Sequence, residues 1–161
     1  MARATPTFVA DSMLGRLAKW LRLLGFDTTY DTAWERRGLL RHAREQERIL
    51  LTRDTRLLRR RELPAHLFVT ADDHREQLRQ VLAHFQIAAE FRLLTRCSLC
   101  NAELEPIDAN LTRHRVPPYV FASQRVFRRC PTCDRIYWPA THVERIKAEL
   151  RTLLPPDPPW H

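Results

Sequence analysis

The chain has no apolar run of the length a membrane-spanning helix needs, and nothing apolar follows Met1-Ala-Arg-Ala-Thr-Pro6 as a secretory signal would require. These absences speak against a helical membrane protein and make the cytoplasm the expected compartment. Lysine is nearly missing: Lys19 and Lys147 are the only two, and all other Lys/Arg charge is arginine. Arginine-over-lysine usage can follow genome composition, so the size of the charge means more than the choice of residue. No cysteine occurs before residue 97. No internal repeat and no long low-complexity segment interrupts the chain.

What is present is compact. A chain of 161 residues, 44 % hydrophobic, suits one domain or one domain with a small module. The net charge of +8 points to a polyanionic partner, nucleic acid above all, against the plainer reading of a solvated basic surface. All four cysteines form two Cys-x-x-Cys pairs, Cys97/Cys100 and Cys130/Cys133. Four thiolates suit the closed tetrahedral site of a structural zinc, and residues 101–129 between them predict a hairpin with an extended excursion. Redox pairs or two disulfides are the alternatives. A thioredoxin-type motif needs a strand before it and a helix after it, which neither pair has.

Residues 5–92 read as alternating strands and helices. Thr7–Ala10 is a short buried strand ending at Asp11, with Ser12 as a helix N-cap. Leu14, Leu17, Ala18, Leu21 and Leu24 recur at helical spacing, closed by Gly25. Phe26–Tyr30 is a second strand. Thr32-Ala-Trp-Glu35 fits a capping box for a helix reaching about Arg48. Ile49–Thr52 is a third strand, ending at Arg53-Asp54, before a basic helix from Thr55 to about Glu62. His66–Thr70 is a fourth, followed by Asp72-Asp73 and a helix carrying Leu78, Val81, Leu82 and Phe85. This alternation predicts βαβ units: an α/β sandwich with a parallel sheet of about four strands, helices on both faces. Residues 93–154 form the zinc-ribbon module, with β-prone pieces at Tyr119-Val120-Phe121 and Arg125-Val126-Phe127 and a last helix from about His142 to Leu154. Residues 155–161 are a Pro-rich tail. Chelation is expected to unfold the chain beyond Arg96 while leaving the sheet domain largely intact.

Carboxylates fall at strand ends: Asp11, Asp54, and Asp72 or Asp73. In an open parallel sheet those ends share one edge, where such folds place ligands. Clustered carboxylates repel unless a divalent cation joins them, and Mg²⁺ or Mn²⁺ so held supports attack on a phosphodiester. Glu35, at the start of the second helix, is a further candidate. Each can also be a helix cap. Residues 36–61 hold ten arginines against Glu45, Glu47 and Asp54, a local +7. Arg36, Arg37, Arg41, Arg53, Arg56, Arg59 and Arg60 are the candidate RNA-binding residues beside the acidic edge. The histidines give little; His142 is a minor extra candidate for the ribbon metal.

Several segments together resemble the Mut-seven C-terminal RNase family: Phe8-Val-Ala-Asp-Ser-Met-Leu-Gly-Arg-Leu-Ala-Lys-Trp-Leu-Arg-Leu-Leu-Gly-Phe-Asp27, Ile49-Leu-Leu-Thr-Arg-Asp54, Gln77-Leu78, Arg96-Cys-Ser-Leu-Cys-Asn101 and Cys130-Pro-Thr-Cys-Asp-Arg-Ile-Tyr-Trp138. The resemblance covers roughly residues 7–150 and implies a PIN-like nuclease domain with a C-terminal zinc ribbon. It further implies a hydrolase, a metal-dependent ribonuclease using Mg²⁺ or Mn²⁺, in which Asp11 and Asp54 match the acidic positions ending strands one and three. The alternative function is a non-catalytic RNA- or ribosome-binding zinc-ribbon protein.

Overall fold

The computed structural model describes residues 4–87, 92–139, 145, 148, 149, 151 and 152. Four short parallel strands, β1 (Phe8–Ala10), β2 (Thr28–Tyr30), β3 (Ile49–Thr52) and β4 (His66–Phe68), form one sheet in the order β2-β1-β3-β4. Helices α1 (Gly15–Leu23), α2 (Arg36–Glu45), α3 (Thr55–Leu58) and α4 (His74–Phe85) connect and follow them. The α/β sheet expected from the alternation is present.

Alternation of side chains along the strands sorts the core into two layers. Phe8 and Ala10 of β1 and Leu51 of β3 point to one face, where Leu17, Leu21, Leu78, Val81 and Leu82 of α1 and α4 bury them. Val9 and Leu50 point to the other, against Leu39, Leu40 and Ala43 of α2 and Leu57 of α3. The outcome is a three-layer sandwich in which the central strands β1 and β3 are apolar on both faces, while the edge strands carry Thr28, Thr29 and His66.

Several boundaries differ from the sequence reading. Ser12 does not cap the first helix: Asp11 does, its carboxylate accepting from Met13 N and starting a 3₁₀ turn over Ser12–Leu14. The Thr32–Glu35 capping box does not form. Asp31 Oδ1 accepts from Ala33 N at 2.8 Å instead, and Glu35 is the N-cap residue of α2 without a side-chain cap bond. α2 ends at Glu45, not near Arg48, because Glu47 turns left-handed and Arg48 N bonds back to Ala43 O. α3 stops at Leu58 rather than running to Glu62.

Beyond residue 92 a second, antiparallel sheet has the order β5 (Glu105–Ile107), β6 (Phe127–Arg129), β7 (Ile136–Tyr137). The excursion between the cysteine pairs holds α5 (Pro118–Ser123), where Tyr119-Val120-Phe121 was expected to be β-like. Pro117-Pro118 presets helical φ at the first turn, and Val120 then packs with Val116 and Phe127 in a satellite core. The expected helix over 142–154 and the tail 155–161 lie largely or wholly outside the described residues, as does His142.

Gly25 lies against the segment that leads from the parallel sheet domain into the cysteine knuckle. Its φ is +91°, and a Cβ there would sit 2.4 Å from Arg92 O and 2.9 Å from Thr95 Oγ1. Gly38, inside α2, has only Trp34 Cδ1 at 3.9 Å. Gly25→Ala is expected to destabilise the fold by about 2 kcal/mol or more through clash and left-handed strain. Gly38→Ala is expected to stabilise it by about 0.5–1 kcal/mol. Urea unfolding of both variants checks the pair.

Candidate active site and four-cysteine cluster

The carboxyl ends of β1 and β3 are tied together by one hydroxyl. Thr52 Oγ1, fully buried, donates to Asp11 Oδ2 at 2.6 Å and accepts from Asp54 N at 2.9 Å. Asp11 Oδ2 also accepts from Arg53 N (2.8 Å), and its Oδ1 from Met13 N (2.8 Å). Asp11 is therefore buried, with donors on both oxygens, and fixed in orientation.

Asp54 is more open. Its Oδ1 caps α3 through Arg56 N, and its Oδ2 pairs with Arg36 Nε at 2.6 Å. Its slight burial would raise its pKa, but the Arg36 hydrogen bond, the Arg56 N–H and both arginine charges outweigh this and hold it below the ordinary carboxyl value. Asp54, Glu35, Ser12, Trp34, Arg36, Arg37 and Arg60 line one cleft of about 470 Å³. Glu35, exposed, brings its carboxylate there.

The remaining candidates go elsewhere. Asp73 caps α4, accepting from Arg75 N and Glu76 N. Asp72 pairs with Arg53, whose guanidinium also donates to Val69 O and Ala71 O at the end of β4. Arg41, Arg56 and Arg59 are exposed and do not line the cleft. Ser12, Trp34 and Thr52 are site residues the sequence reading did not select. The signal for Thr52 was a hydroxyl directly before the Arg-Asp that ends β3, within reach of Asp11 only if β1 and β3 are neighbours.

The cleft suits a hard cation in donor type through the carboxylates of Glu35 and Asp54; Asp11, behind them, does not line it and has donors on both oxygens. As held, Arg36 supplies the counter-charge to Asp54. Among the described residues only the cysteines gather three or more His, Cys, Asp or Glu ligand atoms within a metal's reach.

Those cysteines do so closely. The Sγ atoms of Cys97, Cys100, Cys130 and Cys133 all lie within 4.8 Å of one another, with contacts of 3.3 Å and 3.5 Å. Tetrahedral zinc with Zn–S near 2.3 Å asks for sulfur separations of about 3.8 Å. The two knuckles are alike: Asn101 and Asp134 each take a left-handed φ, with N–H bonds back to Cys97 O and Cys130 O. All four thiols are free, so the disulfide reading fails here. Burial would raise Cys97, but the Tyr137 hydroxyl, the Cys100 and Leu99 N–H groups and Cys133 bring it down to about 6. Burial and the neighbouring Cys130 and Cys97 sulfurs push Cys100 up to about 12, despite the Ala102 N–H. One site cannot hold several thiolates without a cation; a bound zinc removes that conflict.

The family model of the Mut7-C RNAse domain matches residues 6–150. The chain belongs to that family. No curated protein and no solved structure matches it. Membership suggests a ribonuclease-like function and, by the family's name, RNA as substrate. No helix among the described residues is long and apolar enough to cross a membrane.

The first knuckle is bound to the sheet at the edge opposite the cleft. Buried Arg22 donates to Thr28 O (2.8 Å), Leu99 O (2.9 Å) and Ser98 O (3.3 Å). Asn101 accepts from Thr28 N (3.0 Å) and donates to Asp27 Oδ1 (2.7 Å), and Asp27 is also gripped by Arg48 at 2.7 and 3.2 Å. This junction changes the expected reach of metal removal. Loading Zn²⁺ is expected to raise the melting temperature of the sheet as well as the ribbon, followed by hydrogen exchange at β2; exchange at β2 that ignores zinc would show that the knuckle holds its shape unaided.

Asp27 sets a pH dependence. Burial raises it, but hydrogen bonds from Arg48 and Asn101 and the charges of Arg48 and Arg96 win, so its folded pKa is lowered. Its stabilisation is complete above the unfolded carboxyl value near 4 and is lost as pH falls through the lowered folded value. Asp27→Ala, which leaves the mostly buried Arg48 unpaired, is expected to cost about 2–3 kcal/mol at neutral pH and to flatten the acid limb of the stability curve.

Proposed function

We propose that the chain is a ribonuclease that hydrolyses RNA phosphodiesters in the Glu35–Asp54 cleft. The observation that carries this reading is the convergence of Asp54, Glu35 and three arginines, Arg36, Arg37 and Arg60, on one concavity beside the fixed Asp11, in a chain of this family. Asp11 and Asp54 are the residues that would hold Mg²⁺ or Mn²⁺. A divalent cation there would supply Lewis acidity and charge neutralisation at the attacked phosphate. Arg37 and Arg60 hold the phosphate oxygens by paired N–H donors. Glu35, the cleft carboxylate with no cap bond, accepts the proton of the attacking water. Arg36 must release Asp54 for the acidic set to open. The cysteine cluster is a structural zinc site, placed away from the chemistry. RNA is the substrate.

The Arg36–Asp54 pair also favours a second reading, in which the arginine replaces the cation and the chain binds RNA without cutting it. Cleavage of labelled RNA with Mn²⁺ separates the two. Asp54→Asn and Asp11→Asn are expected to lower turnover by at least about 100-fold while Mn²⁺ binding by calorimetry disappears. Variants that cut as fast as the parent would rule out the carboxylate mechanism, and salt-sensitive RNA binding with no turnover in the parent would select the second reading.

A further inference from the structure

A second concavity of about 370 Å³ adjoins the cleft between α2 and α3, lined by Arg37, Leu40, Arg44, Arg60, Arg61 and Glu62. Arg37 and Arg60 line both, so a ligand can pass from one to the other without leaving the protein surface. Four guanidiniums face one carboxylate here. Arg44 is held in place by its bond to Glu62 O. Planar guanidinium forks suit phosphate oxygens, and the single apolar liner, Leu40, offers little to a hydrophobic ligand. The pocket has no hydroxyl, thiol or imidazole to act as nucleophile, so its chemistry is binding.

The aromatic at the other end of this path fixes the kind of polyanion. Trp34 lines the acidic cleft and is stacked on His42, with centroids 4.4 Å apart and planes 31° from parallel. His42 is anchored in turn by Thr29 Oγ1 at 3.0 Å. A braced indole beside a phosphate track can stack an unpaired base, whereas a duplex keeps its bases stacked on one another.

We propose that the second concavity is a phosphate subsite for single-stranded RNA: the strand runs from the Glu35–Asp54 cleft, with a base against Trp34, across Arg37 and Arg60 to Arg44 and Arg61. The inference rests on RNA being the ligand of the cleft and adds the path, the strandedness and two arginines outside the acidic site. Subsite occupation lengthens the RNA that the site grips and orients it along one direction.

Fluorescence anisotropy with an unstructured labelled RNA of about twelve nucleotides tests it, titrated at several salt concentrations without divalent cation. Arg44→Gln/Arg61→Gln is expected to weaken binding about 10-fold near 0.1 M salt and to reduce the log–log salt slope by about 1.4, two phosphate contacts of a single strand. The charge-matched ribbon variant Arg113→Gln/Arg125→Gln is expected to bind as the parent does, and Trp34→Leu to weaken single strands more than a duplex of equal length. If Arg44→Gln disturbs folding through Glu62, as melting would reveal, Arg61→Gln alone carries the test with about half the slope change. A parent that binds RNA while the subsite variants keep its affinity and slope overturns the subsite and leaves the RNA reading standing. Equal losses in the ribbon variant overturn it as well, in favour of diffuse charge. A parent that binds no RNA overturns both.

Discussion

The Asp27 carboxylate is the point on which the two parts of the chain depend. It lies just before β2 and takes hydrogen bonds from Arg48, at the end of the α2 connection, and from Asn101, in the first cysteine knuckle. Its own carbonyl accepts from Phe8 N at the start of β1. The side chain thereby joins two segments far apart in sequence to β2, and the backbone carbonyl of the same residue adds β1. The arrangement is expensive, since it buries charge, and it holds only because each oxygen meets good donors. Arg48 shows the remaining strain: its Nε has no hydrogen-bond partner among the described residues. Removing either member leaves the other charge exposed to a poorly solvating environment, which is why the pair matters more by its loss than by its presence.

This node also sets the polarity of the molecule. Asp27, Arg22 and the knuckle gather at the amino ends of the strands, and Asp11, Thr52 and Asp54 at the carboxyl ends. Strands of three or four residues give a sheet only about 10 Å deep, so a rigid lower edge keeps the upper one in register. The cysteine cluster and the Asp54 end of the sheet therefore lie at opposite strand ends, with the core between them.

Much of this was legible in the sequence where local pattern and tertiary packing agree. β3 was found to the residue because four apolar or β-branched residues sit between a basic helix end and a polar cap. The cysteine cluster followed from spacing alone. What failed was decided by competition between local groups. Asp31 outcompeted Thr32 for the backbone before α2, and Asp11 outcompeted Ser12 before α1. Pro117-Pro118 overrode the β propensity of Tyr119-Val120-Phe121. The site was legible in kind and not in partners. Four acidic positions look alike in sequence, yet Arg53 turns Asp72 to the β4 side and α4 claims Asp73, leaving Glu35 and Asp54 in the cleft. Strand order decides this, and no residue pattern states it.

The two helical layers are unequal, and the inequality bears on the arginines. Among the described residues, the face covered by α1 and α4 buries fifteen core residues and the face covered by α2 and α3 six. The helices of the two faces carry the same net charge, +4 for α2 with α3 and +4 for α1 with α4, so the face with less apolar adhesion bears as much self-repulsion as the other. Arg36 on Asp54 and Arg44 on the Glu62 carbonyl relieve part of it within the fold. A polyanion that bound the folded layer would supply counter-charge for the rest and stabilise the layer by mass action. On the proposed reading, RNA would supply that counter-charge around the cleft where Glu35 and Asp54 stand.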